Sequence, residues 1–372
     1  MFQEVILDAQ DTIHVGNTLI IKIKPKGLPK GDNVALIYLN SWGTQIKNVL
    51  VADIIKDTSL QLYAGRLAIR AVYNGRALCE KDVIVIPDKT AEPMSTYLGA
   101  KSIIANGRDW AMITAIPIDK YGNLVADNTI VDFEFLRADN KRQFSLLGTS
   151  HGIAWQKIIA HTVAGKTFVG VSVDSISSRE KELLEVADFP QDFHIYPVYS
   201  SPYADGRQIF RIKTDVLKDR YGNISSEGTL VTFRCTDVTG AKREFSSYTI
   251  GGIAELVLQN PVTKGEIQII ASVFGGGFSN LLKVNFLDNL TNFPVWIDST
   301  KMILKIGPLV GKLNQYLPNG TKVQLSIDYG QLLMSDVNDG YTSFDIRNLS
   351  SGTHLFIINV SGSYIYKEFK IR

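Results

Sequence analysis

The stretch IIANGRDWAMITAIPIDKYGN, residues 103–123, decides the fold because the chain contains a second version of it. That version reads YADGRQIFRIKTDVLKDRYGN over residues 203–223. The first motif recurs at an offset of 99 residues (204 − 105) and the Tyr-Gly-Asn turn at an offset of 100 (221 − 121). Self-similarity at a fixed period indicates a repeat architecture. The extra residue in the second copy would turn side chains to the wrong face of a strand unless a β-bulge absorbs it.

The match continues at an offset of 100 after the turn. Three more segments pair in order, 131–133 with 231–233, 152–154 with 252–254, and 165–171 with 265–271. Weaker copies of the last strand begin near both ends of the chain, so that its leading glycines fall at 65, 165, 265 and 352. This spacing is about the length of one immunoglobulin-type domain, and it predicts four units.

Each unit shows short strands of alternating polarity. In Val131–Phe135 the apolar residues share one face and the acids the other, and turn residues such as Asn74-Gly75 and Pro318-Asn319-Gly320 separate such runs. No long segment has a convincing helical period. The pattern predicts an all-β chain of tandem immunoglobulin-like β-sandwich domains.

Short linkers rich in proline and aspartate divide the units. They predict domains at residues 1–88, 89–190, 191–289 and 290–372. Because short proline-containing linkers restrict neighbouring domains, we expect a semi-rigid rod.

The ordered motifs resemble the bacterial immunoglobulin-like repeat of intimin and invasin over residues 95–288. Both copies carry the same turn, although Gln208 replaces Asp109 in the second, and the first and fourth units lack the turn. The resemblance implies a module of this type rather than a particular adhesin. Such modules serve in surface adhesins and also as decorations of phage virions and tails, and the fold does not choose between these uses.

Composition excludes several classes of protein. A formal net charge of +2 over 372 residues predicts no steering toward nucleic acid. No apolar run approaches the roughly 20 residues of a membrane span. The N-terminus lacks the pattern of a secretory signal, because Glu4 and Asp8 interrupt its apolar residues and no basic residue precedes Lys22. We therefore favour synthesis in the cytosol over a signal removed before the first residue.

Cys79 and Cys235 fall in different units, which predicts no disulfide within a domain.

Catalytic chemistry is not indicated by any motif. The five histidines are not at metal-ligand spacing, and there is no Cys-x-x-Cys pair, P-loop or nucleophile elbow. Gly275–Gly277 lies between two strands and is interpreted as a flexible hairpin. We predict no catalytic residue, no cofactor-binding residue and no metal site, and hence a protein that is not an enzyme.

Acidic residues offer weak alternatives to that prediction. Residues 336–340 hint at a calcium loop, but the spacing of an EF-hand fails and an acidic turn is favoured. Asp119 and Asp219 recur in the same turn, where local hydrogen bonds to the backbone explain them. Calcium between domains is a minority alternative that rests on acids near the predicted domain ends, namely Asp109, Asp188, Asp192 and Asp288.

Tryptophans and lysines also have two interpretations each. For the four tryptophans we favour packing in cores or between domains, and the alternative is an exposed aromatic row that binds sugar or a partner. These residues are Trp42, Trp110, Trp155 and Trp296. The cluster Lys22, Lys24, Lys26 and Lys30 is interpreted as an edge strand protected by lysine, and the alternative is weak binding to an acidic surface.

Three functions fit these observations. The favoured one is a structural or decorating part of a phage virion or tail-like particle, made without a signal and bound to a protein scaffold through a terminal domain. The second is a bacterial cell-surface adhesin or stalk that binds a host surface protein or glycan. The third is a glycan-binding accessory module.

Overall fold

A computed structural model describes residues 4–29, 31–51, 54–57, 62–199, 201–290 and 292–372. In these residues the chain forms 31 β-strands and no helix, so the predicted all-β fold is confirmed. Accordingly, the described residues contain no helix with the length and hydropathy that crossing a bilayer requires. The chain divides into two compact units between residues 186 and 187, and each unit contains two β-sandwiches.

The first sandwich packs a three-stranded sheet, β1-β3-β6, against a five-stranded sheet, β2-β8-β7-β4-β5. Leu19, Ile21 and Ile23 alternate inward from β3 into a core that also contains Leu36 and Ile69. Its strands are β1 (Glu4–Asp8), β2 (Thr12–His14), β3 (Leu19–Lys26), β4 (Asn33–Asn40), β5 (Gly43–Leu50), β6 (Ile54–Asp57), β7 (Gly65–Tyr73) and β8 (Arg76–Ile86).

The lysine-rich strand β3 corrects one prediction. It lies between β1 and β6, so the prediction of an edge strand is wrong. Lys22 and Lys24 project outward from this central strand, and Lys24 pairs with Asp8 on β1 at 2.8 Å. Lys30 lies outside the described residues.

The second sandwich has the sheets β14-β11-β9 and β10-β17-β15-β12-β13, with β16 paired to β15. Ile113, Phe133 and Val169 are among its fully buried side chains. Its strands are β9 (Thr90–Gly99), β10 (Ser102–Ile104), β11 (Trp110–Asp119), β12 (Ile130–Leu136), β13 (Arg142–Gly148), β14 (Ala154–Ile159), β15 (Gly165–Val173), β16 (Ile176–Ser177) and β17 (Lys181–Val186).

In its described residues the third sandwich repeats this arrangement without strands equivalent to the short β10 and β16, and its sheets are β18-β19-β22 and β21-β20-β23-β24. Phe210, Ile212 and Phe233 are buried in its core. Its strands are β18 (Ile195–Tyr199), β19 (Ile209–Thr214), β20 (Leu230–Thr236), β21 (Lys242–Tyr248), β22 (Glu255–Gln259), β23 (Gly265–Val273) and β24 (Leu282–Phe286).

The extra residue of the third repeat lies just after β19. Ala115 and Thr214 take equivalent positions, because Ala115 pairs with Ala154 while Thr214 donates its backbone N–H to Ala254. Between Thr214 and the buried Leu217 the third sandwich exposes two consecutive residues, Asp215 and Val216. Both faces therefore keep their residues despite the insertion.

The fourth sandwich has the sheets β25-β26-β29 and β28-β27-β30-β31. Leu304, Leu325 and Phe356 are buried in its core. Its strands are β25 (Val295–Asp298), β26 (Ile303–Ile306), β27 (Lys322–Ile327), β28 (Leu333–Asp336), β29 (Thr342–Asp345), β30 (Gly352–Val360) and β31 (Ser363–Ile371). The predicted domain boundaries at 88, 190 and 289 stay predictions.

Candidate functional site

The carboxylate of Asp119 binds both its own turn and the linker that precedes the second sandwich. Oδ1 accepts hydrogen bonds from the backbone N–H groups of Tyr121 at 2.8 Å and Asn123 at 2.9 Å. Oδ2 accepts one from the backbone N–H of Asp88 in the linker, at 3.1 Å. Asp119 is buried, and we call this arrangement a linker clamp.

Asp219 forms the same clamp in the third sandwich. Its Oδ1 accepts from the N–H groups of Tyr221 and Asn223, both at 2.9 Å, and its Oδ2 accepts from the N–H of Asp188 at 3.0 Å. The prediction of local turn bonds was correct but incomplete, because it missed the linker. The signal was present in the sequence, since Asp88 and Asp188 both precede their clamp by 31 residues.

A cation completes each clamp. Lys120 lies 3.2 Å from the carboxylate of Asp88 and over the ring of Tyr121. Arg220 lies 3.8 Å from Asp188 and over the ring of Tyr221. A hydrogen bond from the backbone N–H of Lys89, followed by the Lys120 ammonium, holds the pKa of Asp88 below its usual value.

Within residues 1–186 the clamp turn also binds the first sandwich. Asn123 accepts a hydrogen bond from the N–H of Ala64 through Oδ1, and its Nδ2 donates to the carbonyl of Leu62, both at 2.9 Å. Tyr121 packs against the core of the first sandwich. The two sandwiches are therefore joined by specific hydrogen bonds and apolar contact as well as by the chain itself.

The junction of the third and fourth sandwiches reverses the roles of linker and turn. Here the linker residue Asn289 supplies the acceptors, and the N–H of Lys312 donates to its backbone oxygen at 2.8 Å and to its Oδ1 at 3.0 Å. Gly311 takes the place of the clamp aspartate, because its N–H donates to the carbonyl of Gln315 as that of Asp119 does to Asn123. A Cβ on Gly311 would lie 2.4 Å from Nδ2 of Asn289. The fourth sandwich thus keeps a linker contact although it lacks the repeated motif.

The acids proposed as calcium ligands bind protein donors separately. Asp109 accepts from the N–H groups of Ile104 and Trp110, and Asp192 accepts from that of Phe278. Asp188 belongs to the third-sandwich clamp, while Asp288 pairs with Lys264 at 2.6 Å. Across the described residues, no three His, Cys, Asp or Glu side chains come together as a metal site.

Two other sequence features lie in turns. Asp336 ends β28 and pairs with Lys322, and residues 338–341 form a tight turn in which the N–H of Asp339 donates to the side chain of Asn319. The three glycines that were interpreted as a flexible hairpin pack closely against the linker. A Cβ on Gly277 would lie 2.3 Å from the backbone of Gln191, so close approach explains this glycine.

All four tryptophans are exposed, so packing in the cores is wrong for them, while Trp42 lies beside the junction of two sandwiches. Their exposed fractions are 73% for Trp42, 45% for Trp110, 56% for Trp155 and 40% for Trp296. Trp42 stacks on Tyr63 with ring centroids 4.9 Å apart and lines a groove of about 560 Å³ between the first and second sandwiches.

Trp110 and Trp155 belong to one outward sheet face of the second sandwich. We define this aromatic face as the outward side chains of β9, β11 and β14 that carry the exposed apolar surface. They are Tyr97, Trp110, Met112, Trp155 and Ile159. Exposed apolar patches of this kind mark interaction sites.

Comparison with known proteins identifies the fold. No family model matches the chain, and neither does any curated protein. The chain is similar to the solved structure of FdeC, an Escherichia coli adhesin, at 14% identity over 77% of this chain and 96% of that one, with a TM-score of 0.51. It is also similar to the Yersinia pseudotuberculosis adhesin InvE, at 13% identity over 61% of this chain and 70% of that one (TM-score 0.30). The FN1–FN3 domains of chicken CNTN1 match at 11% identity over 76% and 98% (TM-score 0.32). The fold and the clamps define a tandem immunoglobulin-like β-sandwich protein.

Proposed function

We propose that this chain is a non-enzymatic part of a bacterial cell-surface adhesin or stalk, in which clamped sandwiches carry a binding face. The observation that carries the proposal is the repeated linker clamp. Asp119 and Asp219 each use one carboxylate oxygen for their turn and the other for the preceding linker. A buried carboxylate with three amide donors resists displacement, because separation would leave buried polar groups unpaired. Such junctions suit a chain that must transmit force.

Two further observations support an adhesin. The turn that builds each clamp is the motif by which the sequence resembles intimin and invasin repeats. The motif residues therefore have a structural role, which is to hold the preceding linker. The structure of FdeC, which shares the fold at a TM-score of 0.51, is that of an Escherichia coli adhesin. We extend that role to this chain as part of the proposal.

Localisation in the native source tests the proposal. The chain is quantified by mass spectrometry in washed cell envelopes and in gradient-purified extracellular particles, and intact cells are treated with protease. We expect recovery in the envelope and loss of the chain from protease-treated cells. Stoichiometric recovery in particles would overturn the proposal in favour of a virion or tail component.

Attachment through one terminal sandwich is part of the same proposal. Deletion of residues 1–88 and deletion of residues 290–372 are compared for retention of the chain at the surface. We expect one deletion to abolish retention and the other to preserve it. Equal retention in both would exclude attachment through an end.

A further inference from the structure

We propose that the aromatic face of the second sandwich binds an oligosaccharide that carries a carboxylate. Its central row consists of Thr114 with Tyr97 on one neighbouring strand and Trp155 on the other. The spacing of strands places these two aromatic residues about 10 Å apart across the sheet. Thr114 is a small residue, so a shallow strip lies between two raised rings.

The next row along the sheet supplies the charge. Met112 is flanked by Gly99 and Lys157, and the Lys157 ammonium lies 4.2 Å from the ring centroid of Trp110. Gly99 has no side chain, and a Cβ there would make only an ordinary contact at 3.6 Å. The fold therefore does not require this glycine, and its absent side chain keeps the strip open beside Tyr97.

The third sandwich shows that this sheet does not need an aromatic surface. At the positions of Thr114, Met112 and Trp155 it places Lys213, Arg211 and Glu255 in the same register. Glu255 pairs with Arg211 at 2.7 Å and with Lys213 at 3.1 Å. Because a charged network covers the same strands there, the exposed rings of the second sandwich serve something other than folding.

Charge identifies the chemistry of the occupant. Among the outward positions of β9, β11 and β14 between residues 95–99, 110–116 and 155–159, Lys157 carries the only formal charge. Four other cations of the second sandwich pair with carboxylates, namely Lys120, Lys141, Arg142 and Lys166. In the described part of the chain Lys157 contacts the Trp110 ring and has no carboxylate within ion-pair distance. A cation without its own acid is suited to an anionic ligand.

Aromatic rings identify the rest of the ligand. The negative face of an aromatic ring attracts polarised C–H groups, and a pyranose ring presents several such groups on one face with hydroxyl groups around its edge. Small-molecule sites combine apolar surface with a few placed polar groups, and this face offers Tyr97, Thr114 and Lys157 for hydrogen bonds. A carboxylated pyranose, either a hexuronate or a sialic acid, matches both the rings and the cation.

Titration of the purified full chain tests this inference by tryptophan fluorescence and calorimetry. The probes are hexagalacturonate and sialyllactose, with maltohexaose and lactose as neutral counterparts. We expect binding of at least one acidic probe and none of its neutral counterpart, and the two acidic probes distinguish a uronate from a sialate. Equal binding of neutral and acidic sugars, or no binding of any of them, would overturn the proposal.

Variants locate the site. Lys157→Gln should weaken binding of the acidic probe at least about tenfold, the loss expected for one charged hydrogen bond. The pair Thr114→Lys and Trp155→Glu installs side chains that the third sandwich already accommodates, and it should abolish binding. Tyr97→Ala should weaken binding, whereas its counterpart Tyr196→Ala in the third sandwich should not. Unchanged affinity in the Thr114→Lys and Trp155→Glu variant would contradict the site.

Sedimentation equilibrium distinguishes a sugar site from a contact between copies. Self-association that Trp155→Glu abolishes, without any sugar binding, would assign the face to a second copy and overturn the proposal. The use of this site at a cell surface rests on the proposed function, but the titration does not. Sugar binding by a chain recovered only in particles would contradict the surface location alone.

Discussion

The second and third sandwiches share strand order, register and clamp, yet one place in their cores differs completely. In the second, the buried side chain of Arg137 donates to Glu185 at 3.0 Å, and the Thr167 hydroxyl donates to the same carboxylate at 2.6 Å. Arg137 also donates to the carbonyl of Ile159 and to Gln143. The carboxylate and the guanidinium thus each have several partners.

The third sandwich replaces Glu185 and Thr167 with apolar side chains, and Asp237, in the place of Arg137, accepts hydrogen bonds within its own turn. Gly165 pairs with Glu185, and its counterpart Gly265 pairs with Phe286, so Phe286 takes the position of the glutamate. Thr167 is likewise replaced by Ile267. Phe286 packs edge-on against Phe210 with ring centroids 5.2 Å apart.

This difference shows that the fold requires side chains to fill this part of the core, and that either polar or apolar side chains can do so. A buried ion pair contributes little net stability relative to well-packed apolar residues, because desolvation offsets the attraction. The two solutions differ in their response to the loss of one member. Removing part of the ion pair leaves a buried charge, whereas removing a ring leaves a cavity.

The largest effect is expected from Glu185→Ala in the second sandwich. The substitution leaves the buried Arg137 guanidinium without its carboxylate partner, and we expect the free energy of unfolding to fall by about 3–5 kcal/mol. Hydrogen exchange measured by mass spectrometry on peptides of β12 and β15 in the full chain reports it. Glu182→Ala on the same strand removes an exposed pair with Lys166 and serves as the control, with a loss below about 1 kcal/mol.

The double variant Arg137→Met and Glu185→Met sharpens this comparison. Because it removes both charges and keeps apolar volume, it should be more stable than Glu185→Ala alone. If the double variant loses as much protection as the single one, the ion pair itself stabilises the second sandwich, and the equivalence with the third is wrong.

The next largest effect concerns the clamps, where the two sandwiches should behave alike. Asp119→Ala and Asp219→Ala each leave three backbone N–H groups without their acceptor, and we expect each to cost about 2–3 kcal/mol. Exchange of the amides of residues 88, 121 and 123, and of 188, 221 and 223, reports the loss site by site. Asp119→Asn and Asp219→Asn keep Oδ1 as an acceptor, so they should free mainly the linker amide. A clearly unequal cost at the two sites would break the parallel between the clamps.

The repeated motifs predicted the sandwich fold and the turns but not the surface. In Trp110–Ala115 both faces of the strand are apolar, so alternation does not reveal which face is buried. The third repeat resolves this, because Phe210, Ile212 and Thr214 alternate with Arg211 and Lys213. Aligned with them, Trp110 and Met112 fall on the outward face, as the structure has them.

Strand neighbours were equally hidden from local sequence. The alternation in Leu19–Lys26 correctly indicates a strand with one buried face, but whether it lies at an edge depends on β1 and β6, which come from elsewhere in the chain. The clamps fall in the same category. The turn was visible, and so was the recurrence of an aspartate 31 residues before it, but local sequence does not show that the backbone N–H of Asp88 in the linker donates to the Asp119 carboxylate.

A smaller effect should follow from Asn123→Ala. The substitution removes the hydrogen bonds to Leu62 and Ala64 and the donation from Nδ2 to the Asp119 carboxylate, which keeps its three backbone donors. We expect a loss of about 1–2 kcal/mol that appears as faster amide exchange in the first sandwich near Ala64. If exchange rises only in the turn, the contact between the sandwiches does not stabilise the first one.

The smallest effect is expected on the charged face of the third sandwich. Hydrogen bonding and attraction from Lys213, and attraction from Arg211, hold the pKa of Glu255 below its usual value. A pKa that is lowered in the folded state stabilises the fold at pH values above the unfolded pKa of about 4.3. This stability is lost as the pH falls through the folded pKa. The pair is partly exposed, so we expect about 0.2–1 kcal/mol. Trp155 has the equivalent position in the second sandwich and does not titrate.

Comparison of the original chain with Glu255→Gln isolates this term from every other carboxylate. The urea dependence of exchange in β19 and β22 is measured at about pH 6 and about pH 3, on either side of the ordinary glutamate pKa. Acid should remove the advantage that the original chain has over Glu255→Gln, while peptides of β11 and β14 should show no difference between the two proteins. If the original chain stays more stable than Glu255→Gln in acid, Glu255 stabilises the sheet by packing. The charged face of the third sandwich and the aromatic face of the second would then differ in shape and not in electrostatics.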